Sequence, residues 1–176
     1  KRFVSLLLAT IMVISLMPAM SLPVHAATVT TGVEGLSADS SGDATWTSSN
    51  GTITGSVKAN KSSGCTGDSY STRTGTLTFK NNISGRAIIS FDYTVTLSGG
   101  STKVDDTSVT KGDKSSKELQ AGETLAVSIT SNATDETATS ITISSLSLKE
   151  PQDITTTFVP AENGSFTVDG TAITTE

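Results

Sequence analysis

Residues 86–97, RAIISFDYTVTL, constrain this chain more than any other stretch. Apolar Ile89, Phe91, Tyr93, Val95 and Leu97 alternate with polar Ser90, Asp92, Thr94 and Thr96. Successive side chains of an extended backbone point to opposite faces, so this order buries one face of a strand and wets the other. A helix would scatter the same apolar side chains around its circumference. The period recurs in GTLTFK (75–80), with Leu77 and Phe79, and in ETLAVSIT (123–130), with Leu125, Val127 and Ile129. It recurs again in SITISSLSL (140–148), where Ile141 and Ile143 hold one parity and Leu146 and Leu148 the other. That slip at Ser144-Ser145 predicts a β-bulge or a strand that changes partner.

Turn residues punctuate these runs. Asn81–Gly85 is expected to join the strands on either side of it as a hairpin loop, Ser98–Ser101 to form a turn, and Ala121-Gly122 another. Weaker strands are expected at Ala27–Val33, Ala44–Ser48, Gly51–Lys58 and Lys103–Thr110. Residues 59–73, ANKSSGCTGDSYSTR, show no period and read as a loop. Eight or nine short strands with turns between them predict an all-β, antiparallel two-sheet β-sandwich.

The first 26 residues stand apart. Lys1 and Arg2 precede an apolar run from Phe3 to Met17, then Pro18 and a Val24-His25-Ala26 site. This is the order of a cleavable signal peptide, with the cut expected after Ala26 and the mature chain expected to be secreted or held at the cell surface. The segment contains all three methionines and the one histidine of the sequence. The 27–149 segment is expected to be the β-sandwich domain, and 150–153 a linker marked by Pro151. Residues 154–176 alternate again in Ile154–Val159 and Ser165–Val168, and read as the truncated start of a second β repeat domain.

Composition closes several functional classes. Twelve basic residues stand against 17 acidic ones, so nothing here is suited to neutralise a nucleic-acid backbone. No second apolar run reaches membrane length, so the mature segment is expected to have no span. With its only histidine in the leader, the mature chain has no Ser-His-Asp or Cys-His machinery. Cys65 is the only cysteine and can form no internal disulfide. Asp92, Asp105-Asp106 and Asp135-Glu136 are the carboxylates to weigh for glycoside cleavage, and read as solvated groups at turns, in loops or on a wet strand face. No cofactor is expected; loop carboxylates with backbone carbonyls leave calcium as the one open choice. Asn-x-Ser/Thr sequons, among them those at Asn60, Asn82, Asn132 and Asn163, carry little weight where Ser and Thr make up roughly a third of the residues. An intramolecular Lys–Asn isopeptide bond would need both residues and a carboxylate in the core, whereas most lysines neighbour turns.

Sugar recognition would call on exposed rings. Phe79, Phe91 and Tyr93 sit on apolar faces, which leaves Trp46 and Tyr70. Trp46 shares a face with Ala44 and reads either as a core plug or as a stacking ring. A sugar site would combine Trp46 and Tyr70 with Asp68 and Asn50.

ATWTSSNGTITGSV, the GTLTF and ISFDYTVTLSGGS strands, KELQAGETLAVSIT and ATSITISSLSL together resemble the N-terminal β-sandwich module of large secreted or cell-wall proteins of Gram-positive gut bacteria. The LQAGE turn is similar to that of bacterial Ig-like and jelly-roll adhesion modules, and SITISSLSL to the last strand of jelly-roll carbohydrate-binding modules. The tail ITTTFVPAENGSFTVDGTAITTE resembles the opening of a divergent internalin B-type repeat. The resemblance implies a jelly-roll-like, non-catalytic surface module, a spacer or adhesion domain. Its partners would be downstream domains of the same chain and host or cell-wall glycans or proteins. A carbohydrate-binding module accessory to a polysaccharide-acting enzyme is the alternative it implies.

Overall fold

The structure is a computed structural model that describes residues 27–132, 134, 137–151, 165–168 and 171–174. The expected signal peptide, the strand at Ile154–Val159, residues 152–153 of the linker and Asp135-Glu136 lie outside the described residues. Among the described residues every regular element is a strand, and every pairing is antiparallel.

Six strands form one sheet: β1 (Ala27–Thr28), β2 (Leu36–Gly42), β7 (Arg73–Asn81), β12 (Thr124–Ser131), β9 (Gly100–Val104) and β10 (Thr107–Val109), in that spatial order. Five form a second: β11 (Asp113–Leu119), β8 (Ala87–Thr96), β13 (Ala138–Lys149), β4 (Thr52–Lys58) and β3 (Thr45–Ser49). The inward parities of both sheets meet in a single core. Leu77, Phe79, Leu125, Val127 and Ile129 of the first pack against Ile53, Val57, Ile89, Phe91, Ile141 and Ile143 of the second. The Phe79 and Phe91 rings touch across the layers at 5.8 Å between centroids, and Phe91 continues to Tyr93 at 6.2 Å. The apolar face read from residues 86–97 is buried through Tyr93, half-buried at Val95, and ends at Leu97, which is exposed just beyond β8.

The slip in SITISSLSL is real. Against β8, the β13 register shifts between Ser144 and Ser147, and Ser145 takes a φ of 55°. Leu146 and Leu148 still pack against the core, because the extra residue turns the second parity inward.

Four expectations are corrected. Asn81–Gly85 does not close a hairpin: β7 belongs to the first sheet and β8 to the second, so these residues carry the chain from one layer to the other. Alternation identifies the buried face of each strand but not its neighbour, and two apolar faces satisfy each other equally well across the core. Residues 59–73 are not a loop but hold a hairpin, β5 (Asn60–Gly64) with β6 (Gly67–Ser71), outside both sheets. Its two faces are both wet, so it leaves no hydrophobic period to read. Lys103–Thr110 is broken into β9 and β10 by a two-residue turn at Asp105-Asp106, with φ of 48° and 62°. The strand expected over Ala27–Val33 stops at Thr28, and the unanticipated β2 and β11 bring the two sheets to eleven strands among the described residues.

In the tail, β14 (Ser165–Val168) pairs with β15 (Thr171–Thr174).

Candidate functional site

Asn50 and Gly51 form the two-residue turn between β3 and β4, with φ of 51° and 73°. An Asn-Gly pair suits such a turn because both positions need the left-handed region. The role of Asn50 in the fold is therefore to reverse the chain. Trp46 lies on the inward side of β3, directly opposite Gly55 of β4. Its ring covers that glycine so closely that a Cβ there would meet Trp46 carbons at 2.4–2.6 Å. The indole packs against the core as a half-buried plug, and its Nε1 is shielded without a protein partner.

Asp68 and Tyr70 are brought together elsewhere, on the β5–β6 arm. Register places Lys61 opposite Tyr70 and Ser63 opposite Asp68, so these four share one face of the arm. Lys61 Nζ is 3.0 Å from Asp68 Oδ2, and the Ser63 hydroxyl donates to Asp68 Oδ1 at 2.7 Å. The Ser63 hydroxyl, and then the Lys61 ammonium, hold the Asp68 carboxyl below its usual value. Tyr70 is half-buried; every other residue of the arm's two strands is exposed. Exposed Cys65 sits in the two-residue tip between Gly64 and Gly67. The four predicted residues thus divide between two places: Trp46 and Asn50 on β3 and its turn, Asp68 and Tyr70 on the arm.

Sequence reasoning missed a third place. At one margin of the body, β10 edges the first sheet and β11 edges the second. A slot opens between them, with two cavities of about 340 and 180 Å³ that meet at Tyr93 and Val109. The β11 register sets Asp113 opposite Tyr93, Ser115 opposite Phe91 and Lys117 opposite Ile89. Three polar residues therefore occupy the inward parity of an edge strand. Lys117 Nζ reaches Asp105 Oδ1, on the β9–β10 turn of the other sheet, at 2.6 Å. On the outer face, Lys114 Nζ lies 3.3 Å from Asp92 Oδ1. A hydrogen bond from Ser145 at the bulge, then one from Lys114, holds the Asp92 carboxyl below its usual value. Burial, and then the Asp113 charge, push the Tyr93 phenol up. The signal in the sequence was Asp113-x-Ser115-x-Lys117-x-Leu119, a strand whose inward parity turns polar toward one end.

Among the described residues no three His, Cys, Asp or Glu side chains gather to hold a metal. Asn81, a fully buried side chain, is committed to backbone hydrogen bonds. No helix among the described residues is long and apolar enough to cross a membrane. No protein-family model matches the chain, and no curated protein matches it significantly.

Proposed function

We propose that this chain is a non-catalytic surface module of an exported bacterial protein, a jelly-roll-like sandwich serving as spacer and adhesion domain. The β5–β6 arm is the observation that carries this reading. It stands outside both sheets and groups Tyr70 with Lys61, Ser63 and Asp68 on one face. Such an arm adds little to the core and is free to serve contact, as loops on a rigid scaffold do. The sheet margins fit an exposed life: β1 and β10 are very short and β11 bears charges on both faces, devices that discourage strand addition.

The purified chain is expected to adhere to mucin, to epithelial cells or to bacterial wall sacculi in a plate assay. Replacing Lys61, Asp68 and Tyr70 together by Ser is expected to lower that adhesion about tenfold, the effect of a few lost surface contacts, with thermal unfolding unchanged. Failure to adhere to all three surfaces, or full adhesion by the triple variant, refutes the reading. Expression in a Gram-positive host with N-terminal sequencing of the medium tests the leader: Ala27 is the expected first residue.

A second reading, carbohydrate binding, is favoured by the slot between β10 and β11, where hydroxyls and an ion pair line a concave surface with an apolar floor.

A further inference from the structure

Inward charges on an edge strand keep other strands from pairing with it, and this accounts for Asp113 and Lys117. It does not account for Tyr93. That residue is 8% exposed and lines both halves of the slot. Its hydroxyl has no hydrogen-bond partner among the described residues. The ring is buried, but its oxygen is not among the side-chain atoms sealed off without a partner, so the hydroxyl is presented to the slot. Beside it lie the Asp105–Lys117 pair, the inward Ser115, and two aliphatic side chains, Val104 and Val109.

We infer that this slot binds one neutral sugar residue, its hydroxyls bridging Tyr93 Oη and the Asp105–Lys117 pair while its C–H face rests on Val104 and Val109. The inference rests on the carbohydrate reading and gives it a location other than Trp46. In such a pair the carboxylate accepts from one hydroxyl while the ammonium donates to the next, which is what neighbouring hydroxyls on a ring require. The charge balance argues against ions. An anion would meet Asp105 and Asp113, and a cation would meet Lys117 and Lys111, with Lys114 at the outer rim. The larger cavity, about 340 Å³, stands near the lower bound of about 300 Å³ for small-molecule sites, so it suits a single ring. The smaller one continues past Tyr93 and leaves room for a glycan to extend.

The test is a titration of the full, nitrogen-15-labelled chain with methyl glycosides of glucose, galactose, mannose and N-acetylglucosamine, followed by amide chemical shifts. At least one glycoside is expected to give saturable shifts centred on residue 93 and residues 104–117. Tyr93→Phe keeps the ring and removes only a hydroxyl without a protein partner. It is expected to weaken binding about tenfold, with thermal unfolding unchanged. Lys117→Gln, which breaks the pair but leaves Tyr93 in place, is expected to weaken it as well. Saturable shifts confined to residues 60–71 or to Trp46 would overturn the slot and leave sugar binding standing. No saturable shift with any of the four glycosides would overturn both. A Tyr93→Phe chain that binds as tightly as the parent would overturn the part given to the hydroxyl.

Discussion

Replacing Asn81 by Ala is expected to be among the most damaging single changes available in this fold. The side chain is fully buried at the end of β7. Its Nδ2 donates toward the carbonyls of Gly85, Leu119 and Gln120 at 3.0, 3.1 and 3.1 Å, two N–H groups shared among three acceptors. Its Oδ1 accepts from the Ile83 amide at 2.9 Å. Residues 81–85 carry the chain from the first sheet to the second, and 119–124 carry it back, so one carboxamide clamps two crossings at the same end of the body. Gly85 and Gln120 are exposed, and their carbonyls can turn to water once released. The Leu119 carbonyl is in buried surroundings and cannot. Stranding one buried acceptor costs about 1–3 kcal/mol, and losing the other bonds costs about 0.5–1.5 kcal/mol each. The sum is a loss of about 4 kcal/mol, a large fraction of the stability of a domain this size. Asn81→Asp is expected to be at least as costly near neutral pH, because it sets a carboxylate against the same carbonyls. Urea unfolding, followed by far-ultraviolet circular dichroism and by Trp46 fluorescence, measures both. A loss below about 1 kcal/mol for Asn81→Ala, with an unchanged dependence on denaturant, would refute the clamp.

Other outcomes follow from single positions. Gly55→Ala drives a methyl group into the Trp46 ring, at 2.4 Å from its nearest carbon, and is expected to cost about 1–3 kcal/mol in urea unfolding. Trp46→Leu in that background is expected to recover part of the loss. Asp106 holds a left-handed φ of 62° in the β9–β10 turn, so Asp106→Gly is expected to stabilise the fold by about 0.5–1 kcal/mol. Asp92 has a lowered carboxyl pKa in the folded chain, so its contribution is complete above the ordinary carboxylate value of about 3.9 and disappears as pH falls through the folded value. Asp92→Asn is therefore expected to lower the melting temperature slightly near neutrality and to flatten its fall in the acid range below pH of about 4, measured by thermal scans across that range.

Much of this architecture was legible in the order of side chains. The positions of β7, β8, β12 and β13, the buried parity of each, and the bulge at Ser144-Ser145 depend on period-two alternation, which is a local property of an extended backbone. The chemistry closed to the described part of the chain was legible too, because the only histidine falls at position 25. Partner choice was not. Leu77 and Phe79 face a core in either a hairpin or a crossing, and only the closed body puts β7 and β8 in different layers. The arm escaped because a hairpin wet on both faces carries no hydrophobic signal; backbone pairing alone shows it. Asn81 looked like any loop asparagine until the crossing at 81–85 and the connection after Leu119 met around it. The slot escaped for the same reason: Tyr93, Asp105 and Lys117 belong to separate strands and turns, and only the closing of the two sheets along one margin brings them together. Alternation acts between neighbours in the chain, whereas a site is made by neighbours in space.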